Sequence, residues 1–235
     1  MPAEVREVAD ALIESLGDNL TALLWHGSRA RGEQTAESDH DLIVVLKQVS
    51  EEALSSMRSI FRGRSLWSTY VKTEEELRQY PVTNRLQFHH GLVALHGRID
   101  APPVTKEGLQ EDLRRWATDV LHEARYRIIH GAGREYTGMD WEYVRIRTAR
   151  WLYYQTKLAL LAMKTREVLN DAAYPATRAE LRARLTNADE IAIVDTISAW
   201  AAAKSQYEDD FMPLAFLLDR FARNLVHELE AGEQR

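Results

Sequence analysis

The chain has 235 residues, 45% hydrophobic and 28% charged, with a formal net charge of −6 and no cysteine; that suits a soluble globular protein of one large or two modest domains. Disulfides, zinc–thiolate sites and cysteine nucleophiles are excluded, and the acidic balance argues against general nucleic-acid binding, which needs a basic face. No apolar run approaches the roughly 20 residues that span a bilayer, and Met1-Pro2-Ala3-Glu4 has no signal-peptide pattern, so a cytoplasmic protein without membrane partners is expected.

In chain order, residues 3–16 place Val5, Val8, Leu12 and Leu16 on one helical stripe that Gly17 ends. Thr21–His26 reads as a first strand closed by Gly27. His40–Leu46 is apolar on both faces, hence a central strand. Glu51–Phe61 reads as a helix, Arg62–Arg64 as a turn and Ser65–Lys72 as a third strand. Thr73 then caps a helix opened by Glu74, Glu75 and Glu76. Asp100–Val104 holds two prolines, which suit neither a helix interior nor a central strand, and marks the boundary. Beyond it, helices are expected at 105–130, 140–168, 176–185, 187–203 and 206–231, with a break at Gly131–Gly133. The expected domains are 1–101, an α/β (α+β) unit with a short mixed sheet, and 104–235, an all-α helical bundle.

The segment "WHGSRARGEQTAESDHDLIVVL" (25–46) carries the chemistry. Gly27 permits close backbone approach to a ligand, and Ser28 adds a donor beside the N–H groups that follow. Residues 39 and 41 alternate onto one strand face while His40 faces the other way, so His40 reads as structural. Two carboxylates one strand repeat apart repel unless a hard cation joins them, and Mg²⁺ with oxygen ligands fits the pair. A phosphate cradle beside paired carboxylates is equipment for phosphoryl or nucleotidyl transfer.

"GSRARGEQTAESDHDLIVV" resembles the signature of the nucleotidyltransferase superfamily, closest in style to its minimal and antibiotic-modifying branches. The resemblance is firm over residues 21–47 and looser to about residue 100. It implies that Gly27 and Ser28 hold the terminal phosphates of ATP or another nucleoside triphosphate, that Asp39 and Asp41 are catalytic and ligate Mg²⁺, and that Arg29 and Arg31 follow the turn toward phosphate. It further implies transfer of AMP to a hydroxyl of a small molecule, with an aminoglycoside-type antibiotic as leading acceptor. The acidic charge suits a cationic acceptor. A protein hydroxyl, as in AMP-transferring antitoxins, is the alternative. Dimers occur among relatives, although nothing in this sequence marks an interface.

The family pattern includes a third carboxylate, often on the third strand, and 65–72 contains no acid. Glu74–Glu76 read as helix-cap acids. Glu123, bordering the stripe Leu113, Trp116, Val120, Ala124, Arg127 and Ile128, is the candidate general base from the helical domain, ahead of Asp119 and Glu142. Without a third acid the chain would be a nucleotide- or partner-binding module. Arg220/His227 and Arg125/His130 match the Arg–His spacing of helical HEPN ribonuclease domains, which gives a third reading, a fused nucleotidyltransferase–HEPN ribonuclease-like protein. Trp141, Tyr143, Trp151, Tyr153 and Tyr154, among arginines, read as bundle core with a basic edge. His89, His90 and His96 have no acids at ligand spacing and read as structural or cleft-lining.

Overall fold

The computed structural model describes residues 1–34, 38–101, 103–131, 138 and 140–233. Residues 35–37 of the motif loop, Pro102 of the boundary, and Ala132 and Gly133 of the expected break lie outside the described residues. The chain divides into two compact units, Met1–Val104 and Thr105–Arg235.

The first unit is a four-stranded mixed sheet with helices. Helix α1 (Ala3–Leu16) leads to β1 (Leu20–His26), the short turn of helix α2 (Gly27–Ala30) and β2 (His40–Leu46). Helix α3 (Glu51–Phe61) crosses to β3 (Trp67–Thr73), followed by α4 (Glu74–Arg78), α5 (Val82–His89) and β4 (Val93–Gly97). The strand order is β3-β2-β1-β4, with β2 parallel to β3 and β1 antiparallel to both neighbours. The parallel pair needs a crossover, which α3 supplies. Helix α5 and strand β4 were not separate elements in the sequence reading.

Strand alternation splits the core in two. Leu23, Trp25, Leu42 and Val44 pack with Val5, Val8 and Leu12 of α1 and with Ala53 and Met57 of α3. The opposite face carries Ala22, Leu24, Ile43 and Val45, covered mainly by Leu77 of α4 with Tyr80 and Phe88 at the margin. Asp41 shares this second, thinner face, because it is two residues from Ile43.

The helix starts follow their caps. Ser50 accepts from the Ala53 N–H at 3.2 Å. Thr73 and Glu76 form a reciprocal capping box, the Glu76 carboxylate accepting from the Thr73 N–H at 2.8 Å. Two free N–H groups are thereby satisfied, which is what the acidic run after β3 is for.

The second unit is all-helical: α6 (Lys106–His130), α7 (Trp141–Leu169), α8 (Arg178–Arg184), α9 (Ala188–Asp209) and α10 (Met212–Glu233). Helix α6 packs along α10 and α7 along α9. Leu113, Ala117, Val120 and Ala124 of α6 meet Leu214, Leu218, Phe221 and Leu225 of α10 in one continuous core. The last two helices break later than the apolar pattern indicated. Helix α9 runs on to Asp209, and Asp210 caps α10 by accepting from the Met212 N–H at 3.0 Å. Pro213 then sits in the first turn, where its missing N–H costs nothing.

The aromatic run of α7 divides by face. The Tyr153 ring stacks on Trp200 at 3.9 Å between centroids, and Trp200 stacks on Tyr207 at 5.6 Å. Trp151 and Tyr153 lie against the core, but Trp141, Tyr143 and Tyr154 are exposed. The expected bundle-core role thus holds for Trp151 and Tyr153 and is corrected for Trp141, Tyr143 and Tyr154: the helix is long, and residues one or two positions apart point in different directions.

Candidate active site

Strand β1 delivers the Gly-Ser turn, and the pairing of β1 with β2 brings the acids to it. His26 and Asp41 are opposite one another in the antiparallel ladder, and Asp41 is opposite Ser68 in the parallel one. One row across the sheet therefore reads His26, Asp41, Ser68. Gly27 takes φ +83, and a Cβ there would overlap the Asp41 carboxylate. Only glycine allows the turn this close to the acid.

Asp39 lies just ahead of β2 and is exposed, whereas His40 is buried and faces the α1 side. The His40 ring lies between Trp25 (6.1 Å) and Trp67 (4.6 Å), and its Nε2 bonds Glu4 Oε1 at 2.9 Å. That is a structural histidine, buried because it is stacked and bonded.

His26 is the residue that sequence reasoning missed. It sits on the acid face, and its Nε2 is sealed from solvent with no hydrogen-bond partner among the described residues. Burial, aided by the positive charge of Arg31, lowers its pKa to about 4, while the Asp39 charge acts in the opposite sense. The imidazole is therefore neutral at physiological pH, and Asp39, Arg31 and the Gly-Ser turn share one electrostatic neighbourhood. The signal was the strand period, since His26 is two residues after Leu24, but reading it required the β1–β2 register. Tyr70, one strand repeat beyond Ser68, places its ring 6.0 Å from that of His26.

The two arginines brace the loop. Arg29 Nε donates to the Ser38 carbonyl at 2.8 Å, and Arg31 Nε to Glu33 Oε2 at 3.0 Å. The Glu33 N–H in turn bonds the Ser28 carbonyl at 2.8 Å. Residues 28–33 are thus folded back on themselves, and Arg29 ties them to Ser38.

Asp39 and Asp41 supply carboxylate oxygens at the mouth of β2, a donor set that fits a hard cation keeping several waters. Among the described residues no group of three His, Asp or Glu side chains is placed to share one metal ion. The β3 position opposite Asp41 is Ser68, and Glu76 is committed to its cap. In the second unit Glu123 lies on α6 with its side chain 38% exposed, next to the buried guanidinium of Arg127, with Nη2 at 3.5 Å from Oε2. The Trp151 ring lies 5.1 Å from that guanidinium. Asp119 is exposed one turn earlier, and Glu142 lies in the first turn of α7.

The remaining Arg–His pairs are engaged with acids or aromatics. Arg220 makes a forked bond to Asp189 (Nε at 3.0 Å and Nη2 at 2.8 Å from Oδ1), and His227 lies 3.8 Å from Glu230. Arg125 bonds Asp219 at 2.8 Å, and the His130 ring lies 4.8 Å from that of Tyr126. No helix among the described residues is long and apolar enough to cross a membrane.

Residues 5–105 match the family described as "Nucleotidyltransferase domain". No curated protein matches the sequence. Among solved structures the chain is similar to spectinomycin adenyltransferase AAD(9) from Enterococcus faecialis, solved with ATP and spectinomycin. The TM-score is 0.53 at 9% identity, covering 94% of this chain and 98% of the other. At that identity the likeness speaks for the fold, and the family match speaks for the domain. With that match, and with a Gly-Ser turn set against Asp41, residues 5–105 form a nucleotidyltransferase domain.

Proposed function

We propose that this enzyme is Mg²⁺-dependent and transfers AMP from ATP to a hydroxyl of a small, cationic acceptor of the aminoglycoside or spectinomycin type. The observation that carries the site is the close approach of Gly27 to Asp41, which sets the phosphate-facing turn beside a carboxylate. The acceptor class is supported by the similar structure solved with ATP and spectinomycin and by the net charge of −6.

In this reading Asp39 and Asp41 hold Mg²⁺, which when bound neutralises phosphate charge. The Gly27 and Ser28 backbone and the Ser28 hydroxyl hold the terminal phosphates. Arg29 and Arg31, fixed through their Nε atoms, add positive charge at the same turn. The acceptor hydroxyl oxygen forms a bond to the α-phosphorus as the bond from that phosphorus to the β-phosphate bridging oxygen breaks and pyrophosphate leaves. Glu123 is assigned the hydroxyl proton, as general base.

The test is incubation with Mg²⁺, α-labelled ATP and a panel containing spectinomycin and aminoglycosides, following label transfer and pyrophosphate release. Label on one compound, lost in Asp41→Asn and reduced ~100-fold or more in Glu123→Gln, is the expected result. Transfer that persists in Asp41→Asn overturns the site. Label that appears only on protein replaces the small acceptor with a protein hydroxyl.

A further inference from the structure

Between the two proposed cation ligands, Asp39 and Asp41, stands His40. Packing accounts for a large flat ring at this position. The ring lies 4.6 Å from that of Trp67 and 6.1 Å from that of Trp25, stacked on both. Packing does not account for an imidazole. The side chain is buried, its Nε2 is bonded to Glu4 Oε1 at 2.9 Å, and its Nδ1 has no hydrogen-bond partner among the described residues. A buried polar atom left unpaired weakens a fold, and a phenylalanine would keep the stacking without that cost. Stability alone therefore does not explain the polar ring.

What the imidazole adds is a tie. His40 is the first residue of β2, entered from a loop, where a strand end frays unless it is held. Its N–H donates to the Leu66 carbonyl at 2.7 Å, and its ring stacks on Trp67, its partner in the parallel ladder. Its Nε2 reaches Glu4 in the first turn of α1. The Trp67 ring lies in turn 5.9 Å from that of Phe61, the last residue of α3. The start of β2 is thus fixed to both helices that roof the larger core. Asp39 and Asp41 are the chain neighbours of His40, and strand alternation sends their side chains to the other face. Any shift of His40 moves both carboxylates together, and oxygen ligands hold a cation only within narrow limits of distance.

We propose that His40, held by Glu4, is a positioning residue for the divalent-cation site, setting the Asp39–Asp41 pair from the opposite face of the sheet. The inference rests on the reading of these two aspartates as cation ligands. It makes the site depend on the N-terminal helix, which supplies none of the ligands.

The experiment measures Mn²⁺ binding to the full-length protein by electron paramagnetic resonance, with and without a non-hydrolysable ATP analogue, beside urea melts of the same samples. His40→Phe is expected to unfold no earlier than wild type and to bind Mn²⁺ about 10-fold more weakly, the low end of what groups standing behind metal ligands cost. A purely structural role would not move affinity while leaving stability in place. Glu4→Ala, at a half-exposed position where the fold tolerates change, is expected to lose about threefold, the worth of a part-exposed ion pair. Glu4→Gln keeps the acceptor oxygen and should restore wild-type affinity. Wild-type Mn²⁺ affinity in a folded His40→Phe, or in Glu4→Ala, overturns the inference and leaves the aspartate pair standing. If wild type binds no Mn²⁺ under either condition, the ligand reading of Asp39 and Asp41 fails and this inference falls with it.

Discussion

Leu23 and Leu24 are neighbours on β1, both buried, yet they belong to different cores. Leu23 points into the cluster roofed by α1 and α3, where Val5, Val8, Leu12, Leu42, Val44 and Met57 surround it. Leu24 points to the other side, where Ala22, Ile43, Val45 and Leu77 make a much smaller cluster. The larger core carries His40 stacked between tryptophans, a polar group with its Nε2 satisfied. The smaller one ends in His26, Asp41 and Ser68, polar groups at the sheet's mouth. The difference shows how one sheet divides its labour: one face is closed with apolar volume, and the other is thin and carries the backbone turn and carboxylate of the proposed site.

The most severe way to break this division is at Gly27. Gly27→Ala puts a Cβ into the Asp41 carboxylate at a positive φ. Transfer should fall by ~10³-fold or more, about 4 kcal/mol of transition-state stabilisation, while the melting curve shifts by the ~1–3 kcal/mol of a strained backbone. Pyrophosphate release measured beside thermal melting checks both. A rate within a few-fold of wild type would show that the close approach is not part of the site.

The two leucines sharpen the comparison directly. Leu23→Ala should cost about 3–4 kcal/mol and Leu24→Ala about 2–3, within the range of large-to-small core changes, because the smaller core has less packing to lose. Urea midpoints give the stabilities. Leu24→Ala should also raise KM for the nucleotide, while Leu23→Ala leaves KM unchanged in the folded fraction. Equal KM values would mean that the thin core does not support the site.

The smallest of these effects is a pH slope. The folded pKa of His26 is about 4, below the unfolded 6.5, so the unfolded chain takes up the proton first as pH falls. The stability associated with its neutral form is fully present above 6.5 and is lost between 6.5 and about 4, amounting to about 2 kcal/mol by pH 5. Urea melts at pH 7.5 and pH 5 in chelator should show this loss in wild type, and less of it in His26→Gln. The same slope in both proteins would place the acid sensitivity elsewhere.

Much of this was legible in the sequence because it is local. The uniformly apolar β2, the α1 stripe and the Thr73 cap each depend on residues within a turn or two of one another, and the Gly27–Asp41 motif lies within a single stretch of 15 residues. Strand β4 was not legible. Its five residues are short and half-exposed, and their place is fixed by pairing with β1 some 70 residues earlier. The same holds for His26: its type is visible in the sequence, but its face and its neutral state depend on which residue of β2 lies opposite. Glu123 shows the reverse case. Its place on α6 at the edge of the stripe was readable from helical spacing, and so was the presence of Arg127 one turn on, but the burial of that arginine against Trp151 belongs to the packing of α6 on α7.

The strand order has a consequence for synthesis. Strand β1 needs neighbours on both sides, and the second of them, β4, is the last strand of the unit to be made. While a nascent chain grows from its N-terminus, β1, β2 and β3 can assemble first, and one edge of β1 waits for residues 93–97. An unpaired strand edge is a template for pairing with other chains. A pause in translation before β4 therefore prolongs the period in which β1 is exposed to a neighbouring nascent chain, and codon choice across residues 74–97 becomes a lever on the yield of soluble protein.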